Sequence, residues 1–266
     1  MQTECNGLQV SYSLVGSQSA GAPWLVLSHC LAANQELWRE QVRELGGKYR
    51  ILVYDIRGHG STSAPEGDYS MQELAEDVKA LLDKLDTGPV HFAGISLGGM
   101  IGQVLALDYP QYVKSLILCD TTCGVPEEMR PTWEERIQAA REHGMQALVE
   151  ANLDRWLTPE FRRANPETEE WIANMIATTP VSGFAGCCRA ISGFDVCDSL
   201  HRIDVPTRVI VGEHDPGTPV QAAEAIQQRI PGAELSVLPG ARHLTCVEAA
   251  EDFNRTVEQF LDSLPG

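Results

Sequence analysis

Val90-His91-Phe92-Ala93-Gly94-Ile95-Ser96-Leu97-Gly98-Gly99-Met100 decides how this chain is read. The apolar run before Ser96 has the make-up of a buried strand, and Leu97 to Asp108 carries the spacing of a helix. Strand, abrupt turn and helix in that order hold a serine in a strained backbone conformation. The residues two positions away on either side must then lack side chains. Gly94 and Gly98 meet that demand. The five residues from Gly94 to Gly98 are short enough to recur by chance, so their weight comes from placement: the Ser96 hydroxyl stands at the positive end of a helix. The competing reading, Ser96 as an ordinary helix N-cap, needs no partners elsewhere in the chain.

A serine hydroxyl is a weak nucleophile until a base takes its proton, and the base needs an acid to orient it. Thr207 to Gly212 reads as a short buried strand, followed by the polar loop Glu213-His214-Asp215-Pro216-Gly217-Thr218-Pro219. Asp215 is the candidate acid, with an Asx turn ahead of Pro216 as its plainer reading. A second strand pattern, Ala233 to Leu238, runs into Pro239-Gly240-Ala241-Arg242-His243, and His243 is the candidate base. His214 adjoins the acid, and because adjacent side chains diverge it is the weaker candidate. His29 and His59 read as loop-organising residues. Attack on a carbonyl also needs donors for the oxyanion, each worth about 3–4 kcal/mol. The backbone N–H of Leu97 is one candidate. The N–H of Leu31, in the loop Ser28-His29-Cys30-Leu31 after the strand Trp24 to Leu27, is the other by position.

Strand-like runs alternate with helical periodicity, which predicts an α/β fold: a mostly parallel sheet with helices on both faces. Core strands are expected at Trp24 to Ser28, Ile51 to Asp55, Val90 to Ile95, Ser115 to Cys119, Thr207 to Val211 and Glu234 to Leu238, with an antiparallel piece at Gln9 to Val15. Helices are expected at Glu36 to Leu45, Met71 to Lys84, Leu97 to Asp108, Val220 to Gln228 and Ala249 to Leu261. Residues 125–196 break the alternation and read as several helices, with 7 Arg against 12 Asp plus Glu. Charge therefore does not make this segment a general trap for carboxylates, although individual side chains could anchor one. Trp133, Trp156, Trp171, Phe161 and Phe184 belong to its aromatic content, with Trp133 and Trp156 the candidates for substrate contact. Arg162-Arg163 reads as solvent-facing.

Several of these segments together resemble the α/β-hydrolase superfamily: His29-Cys30-Leu31, Tyr54-Asp55-Ile56-Arg57-Gly58-His59-Gly60-Ser61, the Ser96 turn, Gly212 to Pro219 and Pro239 to His243. The order Ser96, Asp215, His243 is the one that fold uses. Within it, Val26 to Ser61, Ile95 to Gln103 and Leu116 to Thr121 look most like the 3-oxoadipate enol-lactonases and small carboxylesterases, with the similarity weakest over 125–196. The resemblance implies a core of residues 1–124 and 197–266, a helical lid of residues 125–196 inserted after the sixth strand, and no cofactor. It implies hydrolysis of a small carboxylic ester or lactone through an acyl-enzyme, and a cytoplasmic enzyme. General carboxylesterases, perhydrolases and carbon–carbon bond hydrolases of the same fold share these residues. A non-catalytic binding module of this fold usually lacks a member of the Ser-His-Asp set. Cys30 departs from the pattern: relatives carry Gly or Ser there, so a thiol beside the oxyanion donors bears on substrate choice.

Composition agrees. A chain of 266 residues, 43% hydrophobic, can bury a large core. Its net charge of -17 disfavours nucleic-acid and anionic-membrane partners, and no apolar run is long enough to span a bilayer. Met1 to Gly7 lacks the charge and apolar stretch of a secretory signal. The partner expected is a small-molecule ester or lactone, and nothing in the sequence fixes an oligomeric state. Cys5, Cys30, Cys119, Cys123, Cys187, Cys188, Cys197 and Cys246 have no metal-ligand spacing, so free thiols and no metal are expected.

Overall fold

The computed structural model describes residues 1–19 and 21–264. β5 (Val90–Ile95) lies inside the sheet because Val90 and Phe92 on one face and Ala93 and Ile95 on the other are all fully covered, the mark of a parallel strand with helices over both faces. Before it come β1 (Gln2–Cys5), β2 (Leu8–Gly16), β3 (Trp24–Ser28), α1 (Arg39–Leu45), β4 (Arg50–Tyr54) and α2 (Met71–Leu85). After it come α3 (Leu97–Asp108) and β6 (Val113–Cys119), then a helical stretch, then β7 (Thr207–Gly212), α9 (Val220–Arg229), β8 (Glu234–Leu238), α10 (Thr245–Glu248) and α11 (Ala250–Asp262). The stretch between β6 and β7 holds α4 (Arg130–His143), α5 (Val149–Trp156), α6 (Pro159–Ala164), α7 (Pro166–Thr178) and α8 (Val181–Ser192).

The eight strands run β1-β2-β4-β3-β5-β6-β7-β8, with the β1–β2 and β2–β4 pairs antiparallel and the others parallel. Register decides where chemistry can sit. Ser28 lies opposite Gly94, Ile95 opposite Cys119 and Gly212 opposite Leu238. The carboxyl ends of β3, β5, β6, β7 and β8 therefore share one edge, where open α/β sheets take their ligands. The expected strands and helices are all present with ends shifted by at most two residues, except that a short 3-10 turn, Gln35–Trp38, precedes α1. β1 has no counterpart in the sequence reading. Its signal was the Asn6-Gly7 turn, whose φ values of 48° and 73° suit a two-residue hairpin.

The helical stretch is tied back at both ends. Gly124 bridges Asp195, Val125 donates its N–H to Phe194 O at 2.8 Å, and Val196 donates to Cys123 O at 2.8 Å. Cys123 and Cys197 are bonded to each other, which corrects the expectation of eight free thiols. They lie 74 residues apart, and only the pairing of the two ends of the stretch brings their Cα atoms to 4.9 Å. Such bonds persist mainly outside reducing compartments, so this pair and the expected cytoplasmic residence pull in opposite directions. The other six cysteines are buried and free. Arg162 is a second correction. Its side chain is only 15% exposed and reaches Glu150, Asp154 and Glu169, whereas Arg163 is 69% exposed as expected. No helix among the described residues is long and apolar enough to cross a membrane.

α8 seats on the loop after β4 through two glycines. Gly58 needs its positive φ of 78°, and a Cβ on Gly183 would stand 1.9 Å from Gly58 O. Backbone meets backbone there, so no side chain can give way. Gly183→Ala should lower unfolding stability by about 1–3 kcal/mol through forced separation. Gly193→Ala, where the nearest atom is Arg189 O at 3.8 Å, should stay within about 0.5 kcal/mol of the parent. Denaturant melts of the two variants check this, and equal melts would contradict it.

Candidate active site

Ser96 sits between β5 and α3 with φ 56° and ψ -114°. Its N–H donates to Cys119 O at 2.8 Å, and its carbonyl accepts from Met100 N at 3.0 Å and from the Thr121 hydroxyl at 2.8 Å. The turn leaves no room for side chains. A Cβ on Gly94 would lie 2.2 Å from Gly98 O, and one on Gly98 would lie 2.2 Å from Ser28 O. Ser96 makes no side-chain cap bond, so the N-cap reading fails and its hydroxyl is left for the cavity.

Asp215 forms the Asx-type turn and also meets the candidate base. Its Oδ1 accepts from the N–H of Gly217 at 2.8 Å and of Thr218 at 3.1 Å, the Asx-type turn, while Oδ2 accepts from the Thr218 hydroxyl at 2.6 Å and meets His243 Nδ1 at 2.7 Å. The turn aims the free edge of the carboxylate at the imidazole. Burial opposes the charge on Asp215, but the attraction of His243 and the bonds from His243 and Thr218 outweigh it and hold the carboxyl below its usual range. Burial likewise pushes His243 down, and the charge and hydrogen bond of Asp215 more than reverse this, raising the imidazole above 6.5. His214 is exposed and lies 3.8 Å from Glu213, away from this pair.

Ser96 and His243 line one cavity of about 520 Å³, together with Cys30, Leu31, Trp133 and Trp156. All the residues singled out for substrate contact are thus at its wall. Among the described residues neither the Leu31 nor the Leu97 N–H has a protein acceptor. The Leu31 loop is set by two histidines. His59 Nε2 accepts the Ala32 N–H at 3.0 Å, and His29 Nε2 accepts the Ile56 N–H at 3.0 Å. Burial, then the neighbouring His29, pulls His59 down to about 3, and burial lowers His29 too. Both are neutral acceptors, as a loop-organising role requires. The Cys30 thiol is pushed up to about 12 by burial, so it meets the cavity uncharged.

Among the lining residues not named as candidates from sequence are two arginines, Arg136 on α4 and Arg155 on α5. Among the described residues neither pairs with a carboxylate. Arg136 donates to Asn152 Oδ1 at 3.0 Å and lies 4.6 Å over the Trp133 ring, and burial pulls it down to about 10. Which arginines of an acidic segment face the cavity depends on how α4 and α5 pack, which residue counts do not reveal. Among the described residues no group of three or more His, Cys, Asp or Glu is placed to hold a metal.

Residues 23–250 match the alpha/beta hydrolase fold family. The chain belongs to that family. Among its relatives, 3-oxoadipate enol-lactonase 2 of Acinetobacter baylyi is 36% identical over 94% of this chain and 91% of that protein. The crystal structure of the enol-lactonase from Burkholderia xenovorans LB400 superposes with a TM-score of 0.95 at 34% identity, covering 99% of this chain and 100% of that one. A thermophilic esterase from Thermogutta terrifontis, with malate bound, matches at a TM-score of 0.90 and 28% identity over 98% of this chain and 96% of its own.

Within this alpha/beta hydrolase, the groups facing His243 are Asp215, Asp120 and Arg155, the first two raising its proton affinity and the last lowering it. An NMR titration should put the His243 midpoint above 6.5. In Asp215→Asn the largest raising influence is gone and burial remains, so the midpoint should fall below that of the parent. A midpoint unmoved by the substitution would show that the Asp215 carboxylate and the His243 imidazole are not coupled.

Proposed function

We propose that Ser96, His243 and Asp215 act as nucleophile, base and orienting acid, with the N–H groups of Leu97 and Leu31 holding the oxyanion, and that the substrate is a small enol-lactone bearing a free carboxylate. A chain of this family, with enol-lactonase and esterase relatives, is a carboxylic ester and lactone hydrolase. The finer reading rests on one observation: a guanidinium, Arg136, set in the wall of the Ser96 cavity without an acidic partner. A half-buried cation left without a counter-charge is costly, and a substrate carboxylate supplies the missing charge. Arg155, also unpaired, lines the same cavity and lies close enough to act on His243.

In this mechanism His243 takes the Ser96 proton as Oγ attacks the lactone carbonyl. The oxyanion forms between the two backbone donors, at the N-terminus of α3. Collapse breaks the ring C–O bond, and the imidazolium returns its proton to the departing enol oxygen, leaving an acyl group on Ser96 and a free enol that becomes a ketone. His243 then deprotonates water, which attacks the acyl carbon and releases the acid and the Ser96 hydroxyl. Asp215 keeps Nδ1 of His243 protonated and stabilises the imidazolium. Residues 125–196 serve as the lid: α4 and α5 contribute the cavity's arginines and tryptophans, and Trp156 O accepts the Leu244 N–H at 3.1 Å, beside the base.

Ser96→Ala should abolish turnover of every substrate. Arg136→Gln should raise KM for the carboxylate-bearing enol-lactone about 10- to 100-fold, the weight of a charged hydrogen bond. It should leave kcat/KM for p-nitrophenyl acetate within about threefold, since that ester carries no anion for the arginine to hold. Equal losses on both substrates would remove the anchor from the account.

A further inference from the structure

A second carboxyl lies under the site and has no place in the mechanism above. Asp120 follows β6, has no solvent exposure, and carries a positive φ of 43°. It lies just beyond the strand expected at Ser115 to Cys119 and is not among the site residues read from sequence. An apolar side chain would be cheaper there, because burying a carboxyl costs free energy unless its oxygens are satisfied. Both oxygens are satisfied, and by two particular segments. Oδ1 accepts the Gly212 N–H at 2.9 Å, and Oδ2 accepts the Thr245 hydroxyl. Gly212 ends β7, and its carbonyl accepts the Asp215 N–H at 3.2 Å. Thr245 opens α10, two residues beyond His243.

The residues on either side of Asp120 bind Ser96 itself. Cys119 O accepts its N–H, and the Thr121 hydroxyl donates to its carbonyl. The tripeptide Cys119-Asp120-Thr121 is therefore in contact with all three segments that carry the site. Neighbouring strands alone fix β7 against β6, but His243 lies on the loop beyond β8, at the sheet's far edge. That loop also bonds to Asp215 and to Trp156 O, and the Asp120–Thr245 bond ties it across the top of β7 directly to the segment that holds Ser96.

We propose that Asp120 is a positioning residue, whose carboxyl clamps the Asp215 segment and the His243 segment at a set offset from the Ser96 turn. The proposal rests on the triad reading given above. An amide has the shape of the carboxyl and can serve both partners: Asn accepts from Gly212 N–H with its oxygen and donates to the Thr245 hydroxyl with its nitrogen.

Three single variants, one double variant and a serine control test it. Asp120→Asn should retain kcat within about threefold. Asp120→Ala should lose kcat by about 30- to 100-fold, the scale of a misplacement near 1 Å, with KM within about threefold, because the cavity wall is untouched. Thr245→Val cuts one arm of the clamp without opening a cavity and should lose about 5- to 20-fold in kcat, and adding it to Asp120→Ala should cost little more, since both act on one link. Melting curves confirm that each variant is folded at the assay temperature, and Thr245→Val carries the test if Asp120→Ala is not. A folded Asp120→Ala or Thr245→Val with parental kcat would overturn the clamp, as would Asp120→Asn failing as badly as Asp120→Ala. Retained activity in Ser96→Ala would instead sink the triad reading, so the two failures are separable.

Discussion

The backbone at Ser96 is bent into the left-handed region, and this bend can exist only because bare glycines pass it on either side. Gly94 and Gly98 approach so closely that either Cβ would stand 2.2 Å from a carbonyl oxygen. That contact joins β5 to α3 without a loop, leaves the serine hydroxyl in the cavity, and starts α3 directly behind it with free N–H groups. The rest of the site is arranged around this immovable point. β6 holds it from one side through Cys119 and Thr121, and the Leu31 loop faces it from the other.

Around that point the histidines divide by electrostatic environment. His29 and His59 are buried without a carboxylate partner in hydrogen-bond contact, stay neutral and hold loops. His243 is as deeply covered but faces Asp215 at 2.7 Å, which restores its affinity for a proton. Imidazoles of one chain thus differ in proton affinity according to what stands at Nδ1: a backbone carbonyl for His29 and His59, a carboxylate for His243.

Much of this was legible in the sequence because it is local. The Ser96 turn, the strand ends carrying Asp215 and His243, and the exact spans of β3, β5 and β8 follow from runs of a few residues whose periodicity states their burial. What was hidden depends on segments meeting far along the chain. Cys123 and Cys197 join only because the two ends of residues 123–197 pair. Arg136 and Arg155 face the cavity only because of how α4 and α5 lie, and Asp120 looks like the tail of an apolar strand until Gly212 and Thr245 arrive beside it. Arg162 misled for a related reason: a charged pair on a short helix usually meets water, but here three acids from α5 and α7 surround one member. β1 is the exception, a local hairpin whose Asn6-Gly7 signal was readable.

In the proposed mechanism one hydroxyl, at the glycine-flanked turn, takes the acyl group. Incubation with a fluorophosphonate followed by peptide mass mapping tests this. The prediction is a single stoichiometric adduct on Ser96, formed in step with loss of hydrolysis and strongly slowed in His243→Ala. Hydrolysis that persists in fully labelled protein, or an adduct on any other residue, would contradict it.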